Sequence, residues 1–165
     1  MEDDESRLLI ALGKITESGT TMEWVLRLAF DCLVGSKYAA VVAGGQSASW
    51  LIDQCSALTK VNREITEDGR RSLHDALSAC ESVSRQRNEL IHGEKAPLAD
   101  GRIITALSRR RTHVARESSW TLETIETVSD AIGNAAYALF KAIEDSLSLD
   151  VLAVTDELDW DFPPA

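Results

Sequence analysis

"LHDALSACESVSRQRNELIHGE", residues 73–94, decides the fold, because its apolar residues recur with helical period and the run stops at a glycine. On a helical wheel of 100° per residue, Leu77, Cys80 and Ile91 fall within about 40° of Leu73. So does Arg87. Asn88, at about 60°, and His92, at about 100°, form a polar band at the edge of that stripe. A helix that buries its leucines here also carries a guanidinium inward, which needs an anionic partner or a wet cleft because an unpaired buried charge is strongly destabilising.

Working outward, Asp68 is suited to N-cap this helix, which runs to about His92; Gly93 suits a left-handed C′ position and Pro97 bars continuation. Upstream, a helical region from about Glu5 to Val42 turns Leu8, Leu9, Leu12, Ile15, Trp24, Val25, Leu28, Ala29 and Leu33 inward. "ESGTT" (17–21) reads as a break in it, and "AGGQ" (43–46) ends it. A helix from about Ser47 to Asn62 follows, with Trp50, Leu51, Cys55 and Leu58 inward. Downstream, residues 101–120 have weaker helical period and several β-branched residues, and read as a hairpin or an irregular excursion. A final helix capped by Thr121 shows the stripe Ile125, Val128, Ile132, Ala135, Leu139, Ile143 and Leu147. The expected fold is all-α: an up-and-down bundle of four to five helices, with a small insertion before the last long helix. Residues 1–150 read as one domain and 151–165 as an acidic tail, with Trp160 and Phe162 among the acids.

The 165 residues are 44% hydrophobic and 27% charged, as expected of a globular chain. The start "MEDDESR" is acidic where a secretory signal would be basic, and no apolar run reaches the length of a membrane span, so a cytoplasmic protein is expected. Cys32, Cys55 and Cys80 are an odd number at wide spacings, without CxxC pairs or a histidine ladder. They read as buried free thiols rather than disulfides or metal ligands. No cofactor motif is present: there is no GxxxxGK, GxGxxG, HExxH or GxSxG pattern. "GGQ" (44–46) reads as a turn, and His74 and His113 as surface residues.

Net charge is −10. It is uneven: eight basic and three acidic residues lie between Arg85 and Arg116, a local balance of about +5. Such a segment can present a phosphate-binding surface on an otherwise acidic chain.

"RNELIH" (87–92), an arginine followed by a polar residue, three spacers and a histidine near the end of a long bundle helix, resembles the signature of HEPN domains. These are helical nucleic-acid-processing modules common in bacterial defence, and the resemblance extends over the layout from about Trp24 to Leu147. It implies a metal-independent endoribonuclease of toxin-antitoxin or antiphage type, working as a homodimer. Arg87 would hold the scissile phosphate, His92 would act in acid-base catalysis and Asn88 would orient one of them. Arg85, Arg109, Arg110 and Arg111 would contact neighbouring RNA phosphates. One histidine per chain serves poorly as both acid and base, so a dimer that doubles the motif would solve a chemical problem, and Arg87 would then lie at the subunit interface. An antitoxin or defence-system partner protein is also implied. The alternative is a noncatalytic dimerisation, protein-interaction or RNA-binding module, in which Arg87 pairs with Glu123 or Glu126 of the last helix.

Overall fold

Thr66 opens the helix that carries the motif. Its hydroxyl accepts a hydrogen bond from the Gly69 amide at 3.1 Å, which leaves Asp68 in the first turn, paired with Arg71, rather than at the expected cap. The computed structural model describes residues 2–97, 101–108 and 115–147. The helices are α1 (Glu2–Val34), α2 (Ala39–Ala43), α3 (Ala48–Val61), α4 (Glu67–His92) and α5 (Leu122–Leu147). Between α4 and α5 stand β1 (Glu94–Pro97), β2 (Ile103–Ser108) and β3 (Ala115–Trp120). The expected all-α bundle is what forms, and the insertion is a small sheet.

The last helix follows its sequence pattern closely. Ile125, Val128, Ile132, Ala135, Leu139 and Ile143 are all buried, and the Thr121 hydroxyl accepts from the Thr124 amide at 3.2 Å. Antiparallel packing of α4 on α5 is marked by Ser146 Oγ donating to the Gly69 carbonyl at one end and Cys80 Sγ to the Ala135 carbonyl further along. A side chain at Gly69 would meet Ser146 at 2.9 Å, so the glycine permits the close approach. α1 runs parallel to α5, with Ser18 against Ser129 and the Cys32–Leu33 end beside Leu147. Arg7 adds a bidentate bond to Glu126, at 3.0 and 2.9 Å. α3 packs against α1 and α4, and Arg70 Nη1 closes the α3–α4 turn by donating to the Thr59 and Asn62 carbonyls.

Three expectations need correcting. "ESGTT" does not interrupt α1: the Thr16, Thr20 and Thr21 hydroxyls bond back to carbonyls one turn earlier, so polar residues that read as a loop are satisfied within the helix. Leu9, expected inward, is 64% exposed. Gly93 is not left-handed. Its backbone is extended, at φ −73° and ψ 143°, and glycine is required there because a Cβ would lie 2.4 Å from the Glu89 carbonyl oxygen.

The chain leaves Gly93 directly into a meander in the order β1-β2-β3, all antiparallel. The expected hairpin is β2–β3, joined by the edge strand β1, which ends at Pro97 opposite Ile103, and proline is tolerated on an edge strand. Buried Thr105 of β2 accepts from Trp120 Nε1 at 3.0 Å. Cys55 and Cys80 are buried and Cys32 half-buried, all three as free thiols. No helix among the described residues is long and apolar enough to cross a membrane.

Candidate functional site

Arg87 lies in the seam between α4 and α1, with its side chain 20% exposed. Gly19, the centre of "ESGTT", makes the slot: a Cβ there would stand 3.1 Å from Arg87 Nε and 3.7 and 3.8 Å from Cγ and Cδ. A glycine inside a helix costs about 1 kcal/mol relative to alanine. Gly13 of the same helix faces open space, whereas the absent side chain of Gly19 is the floor on which the guanidinium rests. This changes the expected role of the apolar face. The surface that takes the Arg87 stem belongs to α1 of the same chain rather than to a second subunit.

The electrostatic partner also differs from the expected one. Glu126 is engaged by Arg7, and Arg87 Nη1 faces Glu23 Oε1 of α1 at 3.8 Å. The other oxygen of Glu23 lies 3.8 Å from Arg27 Nη2, so two guanidinium groups share one carboxylate, both beyond hydrogen-bond distance. The hydrogen bond that Arg87 does make is to its neighbour, from Nη1 to Asn88 Oδ1 at 3.2 Å. Its Nε is buried without an acceptor among the described residues. A guanidinium has five N–H donors in a fork matched to carboxylate and phosphate. This one is four-fifths covered, and its Nε–H is the donor that burial leaves without an acceptor among the described residues.

Asn88 and His92 are both exposed, one turn apart on one face of α4, with His92 its last residue, where the helix macrodipole favours a cation. Arg87 and His92 are separated by about 140° around the helix and about 7.5 Å along it. Within one chain the guanidinium and the imidazole therefore address different directions, and Asn88, bonded to Arg87 and on the His92 face, stands between them. Glu89, whose negative charge inside the motif would oppose phosphate binding, is buried on the opposite side of α4, where it accepts from Ser118 Oγ of β3 at 2.9 Å. The carboxylate thus fastens the sheet to the helix and is kept from the Arg87 side.

Of the expected RNA contacts, Arg85 is exposed and 3.6 Å from Glu81 on its own helix; Arg109, Arg110 and Arg111 lie outside the described residues, as do His113, Trp160 and Phe162. His74 is exposed beside Asp75 and lines a groove of about 390 Å³ between α3 and α4. Among the described residues, no group of three or more His, Cys, Asp or Glu side chains is placed to hold a metal ion. The residues missed from sequence are Gly19, Glu23 and Arg27 on α1; the one local signal was a glycine in a helical pattern. No family model matches the chain, and comparison with curated proteins and with solved structures finds no match.

Proposed function

We propose that the chain is a metal-independent endoribonuclease acting as a homodimer, of the kind found in toxin-antitoxin or antiphage systems, with a partner protein restraining it. The reading is carried by one observation: Arg87, four-fifths covered, spends one hydrogen bond on Asn88 and finds no acceptor for its buried Nε among the described residues. A phosphate oxygen at the Nη groups would supply the acceptor and charge that Glu23, at 3.8 Å, does not supply by hydrogen bonding. In the reaction, a base removes the proton of the ribose 2′-hydroxyl, the 2′-oxygen attacks phosphorus, and the 5′-oxygen leaves as it is protonated. The products are a 2′,3′-cyclic phosphate and a 5′-hydroxyl. His92 from each of two protomers provides the base and the acid, Arg87 neutralises charge on the phosphorane, and Asn88 links the two. The splay of about 140° between Arg87 and His92 fits a site composed from two copies better than one built in a single chain.

The noncatalytic reading has its own support in the ion pair of Arg87 with Glu23, which gives the guanidinium a partner inside the fold. Incubating the purified protein with structured RNA in EDTA, beside Arg87→Ala and His92→Ala, separates the two. Cutting to cyclic phosphates that both substitutions abolish supports the nuclease. Equal inertness of three folded dimeric proteins refutes catalysis by this chain and leaves the binding module.

A further inference from the structure

We propose that Gly19 and Glu23 of α1 are positioning residues for Arg87: Gly19 leaves the slot in which the guanidinium lies, and Glu23 is a resident counter-ion that an incoming phosphate group displaces. The inference deepens the functional reading above and rests on its assignment of Arg87 as the phosphate-binding group.

The geometry favours a displaceable partner over a structural salt bridge. A carboxylate meant to lock an arginine would take it in a bidentate grip at about 3 Å, as Glu126 takes Arg7. Glu23 stands off at 3.8 Å from Arg87 and at the same distance from Arg27. It compensates both charges without satisfying the N–H groups of either by hydrogen bonding. Among the described residues the buried Arg87 Nε has no acceptor, so the resting guanidinium is under-bonded, and a phosphate would meet it at the Nη groups, where Glu23 now stands. When the phosphate arrives, Glu23 can turn to Arg27, one turn further along α1, and remain paired. On the nuclease reading the occupant is a backbone phosphate of the nucleic acid, and Arg27 is the residue that receives Glu23 once it is displaced.

Gly19 works on the same side chain by shape. Alanine would favour the helix, yet its methyl would press on Nε at 3.1 Å, and the contact falls on the far part of a flexible side chain that can shift. Gly19→Ala should then leave the fold intact while moving Arg87.

The test follows the Arg87 Nε–H resonance by NMR, assigned by its disappearance in Arg87→Lys. The full-length protein is titrated with a short single-stranded oligodeoxyribonucleotide, which lacks the 2′-hydroxyl and cannot be cut by this chemistry. The expected result is a shift of that resonance in wild type, with a midpoint about tenfold lower in Glu23→Gln, because the competing carboxylate charge is gone. Gly19→Ala should move the resonance in the free protein and raise the midpoint. An unchanged or raised midpoint in Glu23→Gln overturns the proposal, as does a resonance indifferent to the probe. So does a Glu23→Gln protein whose melting temperature falls while its midpoint stays put, since that is how a purely structural ion pair behaves. If the resonance responds as expected but RNA is never cut, the nuclease reading falls and the counter-ion inference stands. If RNA is cut in an Arg87-dependent way while Glu23→Gln keeps the wild-type kcat, KM and midpoint, the reverse holds.

Discussion

Raising the pH from 7 to 10 should weaken the protein through Cys55 and Cys80. Both side chains are fully buried, and their Sγ atoms face the carbonyls of Leu26 and Ala135. Burial pushes each thiol from its ordinary 9.0 up to about 12, with the neighbouring Cys80 adding to the effect at Cys55. Below about pH 9 the folded and unfolded chains hold the same thiol protons, and the shift has no effect on stability. Above it, the unfolded chain releases protons that the native core retains, so stability falls by about 1.4 kcal/mol per thiol for each further pH unit. At pH 10 the two thiols together should remove about 3 kcal/mol, a sizeable share of the 5–15 kcal/mol typical of a domain. In urea this is a midpoint lowered by about 1.5 M at a slope near 2 kcal/mol/M. Cys32 is raised to about 11 but is half-buried, so solvent screens it and it adds little. The assay is urea unfolding by circular dichroism between pH 7 and 10, with reductant present, for wild type and the Cys55→Ala/Cys80→Ala double variant. The variant starts lower because of the space left in the core, and its decline with pH should be shallower by that amount. Parallel declines in the two proteins would refute the reasoning, since lysine and tyrosine titration is common to both.

Two other perturbations follow from particular contacts. Gly93→Ala places a methyl 2.4 Å from the Glu89 carbonyl and should cost about 2 kcal/mol through overpacking, read as a lowered urea midpoint; an unchanged midpoint would mean that the β1 end of α4 yields freely. Asp31 has a buried oxygen without a partner among the described residues, and burial raises its carboxyl above the ordinary value, so its charge opposes folding once the pH passes that of an exposed aspartate. Asp31→Asn should therefore stabilise the protein at pH 7 and lose that advantage near pH 3; equal effects at both pH values would show that the charge is not what matters.

Periodicity made the helices readable, and it did so best where a helix has one neighbour face. The α5 stripe from Ile125 to Ile143 is buried without exception because that helix meets α1 and α4 along its length. Where residue types carry two meanings, the pattern misled. Gly19 and its threonine neighbours look like a loop in one dimension; in three, the threonines bond to their own helix and the glycine faces an arginine. Gly93 was similarly ambiguous between a left-handed turn and a close approach, and only the position of Glu89 and β2 decides. Of the candidate site, sequence yielded the motif residues on α4 but not their surroundings. The charges of Glu23 and Arg27 are plain to read, yet nothing local says that the first helix crosses Arg87 rather than leaving that place to Glu126. The turning of Glu89 away from the motif needed the sheet, because Ser118 sits in the segment with the weakest pattern.

The parallel pairing of α1 with α5 bears on the order of events during synthesis. The chain makes α1 first, yet the helix that covers much of its apolar face emerges only after about 90 further residues, which a ribosome adds in several seconds or more. Until then α1 can join α2, α3 and α4, which assembles the Gly19–Arg87 seam before the bundle is closed. A nascent chain stalled short of Leu122 would thus hold Arg87 in its slot while exposing the groove reserved for α5. That half-built state, with an apolar groove open, is the one a chaperone would meet first.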